Sequence, residues 1–311
     1  MTTSERIMNK LARSGVRGLL AAAMRHAAHT IDKQPSDKQP SDKQPRDEQP
    51  SNQVIPHKTL SRYISFKGKH ILEVGGAQSC DSAYPFLKDG AASAVVTGLD
   101  HISQERVDDE YDLRILRADA LTLSSVFGPE RFDVVYGISI VEHIPSPSKF
   151  LDEVYRILKP GGLAFLEGNP IWSSSKGHHL WVATWGGPYQ SKTTSNYLFS
   201  GWPGKASTNP LPDWSHLLMT SSQMREYLTE KRIPSTDIDC IVDWVFHCDQ
   251  VNRINMSEIA AAYTGSNLVV LEANTVKEYV PPDVLADLRG RFGDGVDYGT
   301  AGVSYVLAKR R

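Results

Sequence analysis

Short, largely apolar runs recur along this chain at 70–74, 94–98, 113–116, 132–136 and 163–166, and each reads as a strand buried on both faces of a sheet. Helical segments at 81–89 and 147–158 fall between them, the second stopped by Lys159, Pro160, Gly161 and Gly162. Strand and helix signals in alternation predict an open α/β sheet covered on both faces. Farther along, 222–231 reads as a helix and 238–246 as a strand. Residues 256–291 read as a helix, an apolar run at 268–271 and a helix opened by Pro281 and Pro282, together a small cap or interaction surface. The alternating stretch 302–309 reads as the closing strand.

Before residue 54 the pattern changes. Residues 1–31 set Arg6, Lys10, Arg13, Arg17 and Arg25 around Ile7, Leu11, Val16, Leu20 and Met24, an amphipathic helix expected to pack on the domain or over a cofactor mouth. Peripheral membrane contact is the lesser reading of that helix, and its apolar core is too short for a signal peptide. Residues 32–53 repeat Asp-Lys-Gln-Pro-Ser from Asp32, Asp37 and Asp42 and then degenerate. Proline at every fifth position and the lack of apolar residues predict a disordered linker. The folded domain is expected over 54–311, with insertions at 169–221 and 256–291.

Composition narrows the classes of partner. A formal net charge of -2 gives no general attraction to nucleic acid or to an anionic membrane. Hydrophobic residues make up 40% of the chain, enough for a real core, yet no apolar run nears the roughly 18 residues needed to span a bilayer. Cys80, Cys240 and Cys248 form no close pair, which suits a reducing compartment and predicts a soluble, cytoplasmic protein without disulfides or a cysteine zinc site.

Candidate chemistry begins at His70-Ile71-Leu72-Glu73-Val74-Gly75-Gly76-Ala77-Gln78-Ser79, a strand that runs into an acid and a glycine pair. Glycines at the carboxyl end of a buried strand let backbone pass close to a ligand. Glu73 would repel a pyrophosphate and suits a cationic amine, and the G-x-G-x-x-G spacing of dinucleotide sites is absent. Asp100, just past 94–98, is placed to accept hydrogen bonds from two ribose hydroxyls. Later come Phe132-Asp133-Val134-Val135, then Glu142-His143-Ile144, then the run Leu151-Asp152-Glu153-Val154-Tyr155-Arg156-Ile157-Leu158-Lys159-Pro160-Gly161-Gly162 across the end of the 147–158 helix.

Over about 71–166 these motifs resemble the class I S-adenosylmethionine-dependent methyltransferases, in particular the ubiquinone-pathway-like subgroup that modifies small molecules. Gly75 and Gly76 stand where the family loop begins, and Gln78 and Ser79 occupy positions that are often glycine. The resemblance implies a Rossmann-like fold, a doubly wound, mostly parallel seven-stranded sheet with an antiparallel last strand, and S-adenosylmethionine as cofactor. It also implies that Asp119 meets the adenine amine, although Asp119 equally suits capping the turn before Leu121. Gly137 and Ile138 would lie beside the methionine and sulfonium end. Some members carry Glu-x-x-Glu-His with a magnesium ion; here Ser139 replaces the first Glu, so no metal is expected.

Two rival readings fail on residues. Ile138-Ser139-Ile140 lacks the Asn/Asp-Pro-Pro-aromatic run of adenine amino-methyltransferases, and Tyr84 with Lys88 lies in the wrong place for a short-chain dehydrogenase pair.

Residues 169–221 lack a helix or strand period and hold Trp172, Trp181, Trp185, Trp202 and Trp214. A long connection of this kind leaving the carboxyl edge of a sheet is expected to build the acceptor pocket, with Trp172, Trp181 and Trp185 lining it. Loop packing by the same rings is the plainer alternative. The expected activity is methyl transfer to a hydroxyl of a small polar acceptor such as a sugar or glycan precursor. The alternatives are transfer to a phenolic or quinone-type metabolite, and cofactor binding without catalysis. His178 and His179 are the first candidates for the general base, ahead of His143 and His216.

Overall fold

The computed structural model describes residues 55–99, 102–180, 189–195, 197–198 and 209–311. The expected N-terminal helix and repeat linker, together with Asp100, Trp181 and Trp185, lie outside the described residues. The chain opens with α1 (Ile55–Leu60) and then builds β1 (His70–Val74), α2 (Tyr84–Lys88), β2 (Ser93–Gly98), β3 (Arg106–Asp108) and β4 (Leu113–Arg117). There follow α3 (Leu123–Phe127), β5 (Phe132–Gly137), a single 3-10 turn at Val141–His143, α4 (Pro147–Ile157) and β6 (Leu158–Gly168).

After the inserted segment, with its small hairpin β7 (Tyr189–Gln190) and β8 (Tyr197–Leu198), come α5 (Ser215–Leu218), α6 (Ser221–Glu230), α7 (Ser235–His247) and α8 (Met256–Gly265). The chain closes with β9 (Val269–Lys277), α9 (Pro282–Phe292) and β10 (Thr300–Ala308). The main sheet has eight strands in the order β3-β4-β2-β1-β5-β6-β10-β9. Strands β4, β2, β1, β5 and β6 run parallel, while β10 is antiparallel to both neighbours and β3 is antiparallel to β4. No helix among the described residues is long and apolar enough to cross a membrane.

Alternation along the central strands divides the core in two. Leu72, Val74, Val135 and Leu166 point to one face, where α4 brings Phe150, Leu151, Val154 and Ile157 and α8 brings Ile259 and Tyr263. Ile71, Val96, Val134 and Phe165 point to the other face and meet Leu60, Phe66 and Phe86. Helix α4 repeats its apolar positions at helical spacing, which explains why it forms where the sequence predicts it. The stretch Lys159–Gly162 ends the helix as expected but is not a free turn. Leu158 already pairs with Phe132, and the register slips before Val134 meets Leu163.

Three expectations need correction. The sheet has eight strands where seven were expected, because the three-residue β3 adds an edge too short to show a period. Residues 256–291 are not a cap: β9 lies within them and pairs along its length with β10, forming the opposite edge of the sheet. The run expected as a strand at 238–246 is helical, inside α7. Its β-branched residues favour a strand locally. Ile238, Ile241, Val242 and Val245, however, recur at helical spacing and pack on Met224 and Leu228 of α6, so tertiary burial decides the outcome.

The inserted segment is strapped to the carboxyl edge of the sheet. Ile171 donates its N–H to the Ala301 carbonyl (2.7 Å), and Ser175 donates its N–H and hydroxyl to the Glu278 carboxylate (2.8 and 2.6 Å). The indole N–H of Trp214 reaches the Ser173 carbonyl (3.2 Å), and that of Trp244 reaches the His178 carbonyl (2.7 Å). His216 donates from Nε2 to the Trp172 carbonyl (2.7 Å), with its ring set edge-on to the indole at 4.6 Å. Burial pushes the His216 imidazole down to about 4; the Trp172 carbonyl works against this, and Lys176 and Arg253 add to it. His178 faces the same ring at 5.3 Å.

The unfolded chain takes up this proton near pH 6.5, while the folded chain resists it until about pH 4, so His216 removes stability as pH falls through that window. The slope is roughly 1.4 kcal/mol per pH unit. His216→Gln keeps a donor for the carbonyl and should lose that slope, so that between pH 7 and 5 it is destabilised by about 2 kcal/mol less than the wild type. Urea unfolding at the two pH values measures this. Identical losses in both proteins would show that His216 does not resist protonation.

Candidate cofactor and acceptor site

Strand β1 ends between β2 and β5, and its following loop emerges at the carboxyl edge, where ligands of open α/β sheets bind. Gly76 donates its N–H to the Thr97 carbonyl (2.9 Å) and lies so flat on β2 that a β-carbon would stand 2.4 Å from Val96 Cγ1. Gly75 takes a positive φ of +77° beside Ile140, a conformation that glycine adopts without penalty. The far side of the loop is exposed at Gly75, Ala77 and Ser79.

Gln78 stands where glycine was expected, and its side chain is a strut. Its carbonyl oxygen accepts from the N–H groups of Ser103 (3.0 Å) and Gln104 (3.2 Å), and its amide donates to the Gln104 carbonyl (3.1 Å). The segment after β2 is thereby tied at Ser103 and Gln104 to the glycine loop. Nothing in the local sequence signals this role.

Glu73 lies beneath the loop and is only 4% exposed. The Ser82 hydroxyl sits 2.6 Å from both of its oxygens, and the Tyr136 hydroxyl donates to one of them at 2.9 Å. Burial raises the Glu73 pKa, and the two hydroxyl donors hold the rise in check. In this geometry the carboxylate fixes the junction of β1, α2 and β5 from inside.

Asp119 follows β4 at the same edge and is exposed. Its Oδ1 accepts from the Leu121 N–H (2.8 Å), so the capping role expected of it is present, and the carboxylate still faces solvent. At the end of β5, Gly137 is buried, Ile138 half-buried and Ser139 exposed with φ +49°. The crevice is therefore framed by an exposed glycine-led loop on one side and the end of β5 on the other, with a free-facing carboxylate near its rim. That donor set fits a cofactor with a cationic amino acid end and a polar nucleoside end.

Past β5 the chain turns sharply. Ile140 donates to the Glu167 carbonyl (2.9 Å), and Asn252 pins the 3-10 turn by donating to the carbonyls of Val141 (2.7 Å), Ile144 (2.8 Å) and Glu142 (3.0 Å). A β-carbon on Gly168 would meet both Glu142 Oε2 and Val141 Cβ at 2.6 Å. Glu142 accepts the Asn169 N–H at Oε1 (3.1 Å), while Oε2 is buried with no hydrogen-bond partner among the described residues. Burial pushes this carboxyl up to about 8, with Glu167 adding to the shift.

The structure separates the histidine pair in the way adjacent loop residues usually separate. His178 turns toward His216, accepts the Leu180 N–H at Nδ1 (3.1 Å) and is driven well below its ordinary pKa by burial. His179 turns toward His143, with ring centres 5.4 Å apart, and burial pushes it down to about 3. The two rings thus serve different neighbours. Trp172 is half-buried between His216 and the Arg253 guanidinium, which lies 5.3 Å from its ring.

Residues 75–166 match the family described as a methyltransferase domain. The ubiquinone biosynthesis O-methyltransferase of Pseudomonas entomophila is 34% identical over 113 residues, 33% of this chain and 45% of that protein. The protein of the same name from Coxiella burnetii is 30% identical over 124 residues, 35% of this chain and 47% of the relative. The match thus spans less than half of either relative's length. Among solved structures, phosphoethanolamine N-methyltransferase 2 of Haemonchus contortus, in complex with S-adenosyl-L-methionine, is similar over 83% of this chain and 52% of its own, with 11% identity and a TM-score of 0.44. Over 75–166 the chain is thus similar to a methyltransferase domain, and this segment carries the glycine loop that follows β1 at the switch point of the sheet.

Proposed function

We propose that this chain methylates a hydroxyl of a phenolic or quinol-type small molecule. The observation that carries this reading is the state of the buried histidines at the acceptor side. Burial lowers the pKa of His178, His179 and His216, so each is a poor proton acceptor near neutral pH. With these three weakened as bases, an acceptor that supplies its own acidity is favoured. A phenol, with a pKa of about 10, does so far more readily than a sugar alcohol. The names of the Pseudomonas and Coxiella relatives point the same way, and the sugar acceptor expected from the tryptophan-rich segment has no support beside it.

Bound S-adenosylmethionine supplies an electrophilic methyl group on a cationic sulfur. The chain's own share is alignment and dryness. Gly75 and Gly76 admit the cofactor along β1, Asp100 and Asp119 receive its ribose and adenine ends, and Gly137 and Ile138 lie along the sulfonium. Trp172 belongs to the acceptor wall that shuts out water, a role that Trp181 and Trp185, outside the described residues, share in this reading. Glu73 acts on the methionine amine through the loop it supports. The product would stay in solution in the cytoplasm, since the reading needs neither nucleic acid nor a membrane.

Assay of the full chain with labelled cofactor against catechols, quinone precursors and nucleotide sugars should give methyl transfer to the phenols. The rate should rise with pH along the acceptor's own ionisation and should be faster for more acidic phenols. Transfer confined to sugars, or an inflection near pH 6.5 that is the same for every acceptor, would overturn the reading.

The carboxylates give a separate check. Asp100→Ala and Asp119→Ala should each weaken cofactor binding by roughly 10- to 100-fold, the loss expected for one or two charge-assisted hydrogen bonds partly replaced by water. Equilibrium dialysis with S-adenosylhomocysteine measures it, and unchanged affinity in a folded variant would remove that residue from the site.

A further inference from the structure

We infer that Glu167 sets its carboxylate against the cationic sulfur of the bound cofactor, so that the site holds the methyl donor more tightly than its neutral product. The inference rests on the cofactor reading above, in which Gly137 and Ile138 lie along the sulfonium.

The sheet fixes the position. Glu167 stands one residue before the carboxyl end of β6, which runs parallel to β5 with Leu166 level with Gly137. One step farther along the two strands come Glu167 and Ile138. The Ile140 N–H donates to the Glu167 carbonyl (2.9 Å), which fastens the turn leaving β5 to this residue. Side chains alternate along a strand, and Leu163 and Phe165 point to the face that carries Ile71, Val134 and Tyr136. Glu167 therefore shares that face, as Ile138 does.

Glu73 holds the corresponding place on β1, and the comparison shows what is unusual. The Glu73 carboxylate is engaged by the hydroxyls of Ser82 and Tyr136 and serves the fold. Glu167 is half-buried, and its Oε2 is buried with no hydrogen-bond partner among the described residues. Burial alone raises its pKa, with no cationic neighbour to oppose the rise. A desolvated carboxylate in this state is stabilised by a positive charge. A sulfonium suits it well, since that cation has no N–H or O–H to donate and is held by charge alone.

The chemistry of transfer then gives the contact a direction. The methyl carbon leaves sulfur for the phenolate oxygen, the carbon–sulfur electron pair stays on sulfur, and the positive charge there disappears. The attraction to Glu167 is present for S-adenosylmethionine and absent for S-adenosylhomocysteine. Because the charge fades toward the transition state, Glu167 acts in donor capture and product exchange and not in accelerating the transfer.

Calorimetric titration of the full chain with each of the two ligands tests this. Glu167→Gln should weaken S-adenosylmethionine about 10-fold and shift S-adenosylhomocysteine by less than about 2-fold, because only the first carries the charge. Asp152→Asn, at an exposed carboxylate on α4, should change neither. The product keeps the cofactor's amino group, so a contact to that amine would weaken both ligands equally. Circular dichroism checks folding, and Glu167→Asp, which keeps the charge but draws it back, should retain more of the preference than the Gln variant and carries the test if that variant does not fold. Unchanged affinity for S-adenosylmethionine, or an equal loss for both ligands in a folded variant, would overturn the role of Glu167 alone. Binding of neither ligand by the wild type would overturn the cofactor reading and this inference with it.

Discussion

Backbone segments at the carboxyl edge of the sheet pass one another with no room for a β-carbon, and the crevice exists because of that. At Gly76 an added Cβ would stand 2.4 Å from Val96 and 2.8 Å from the Glu73 carboxyl carbon, so the loop after β1 lies directly on β2. At Gly168 the obstacle is Glu142 and Val141, so the end of β6 presses on the turn after β5. These close approaches bring the ends of β1, β2, β5 and β6 within reach of one ligand. The polar groups beneath the loop must then be satisfied internally, and Ser82 and Tyr136 do this for Glu73.

The same crowding explains the electrostatics of the acceptor side. Once the inserted segment is strapped over the sheet edge, its histidines and Glu142 lose water, and desolvation outweighs the hydrogen bonds that remain. The imidazoles stay neutral over the physiological range, while the carboxyl holds its proton unless a positive charge is near. Such a pocket is poorly suited to proton abstraction by histidine and well suited to ligands that bring either acidity or positive charge. The phenolic acceptor proposed above rests on that property.

The sequence made the centre of the fold readable and left its periphery obscure. Strands β1, β2 and β5 are largely apolar runs whose burial on both faces leaves few alternatives, and β2 and β5 lie within the matched segment 75–166. Strands β3 and β9 are edges: the first is too short and the second too exposed to carry a core period. Helix α7 misleads because β-branched residues fill helical positions that only tertiary packing selects. Within the site, the glycines and Asp119 announce themselves by position after strands. Gln78, Asn252 and the partnership of His143 with His179 do not, because each depends on contacts between segments distant in sequence.

The most direct measurement is calorimetric titration of S-adenosylmethionine into the full chain and into Gly76→Ala, which places a methyl group against Val96. The account predicts a saturable one-site isotherm for the wild type and a large loss of affinity in a variant that keeps its secondary structure. No binding by the wild type, or equal binding by both proteins, would contradict it.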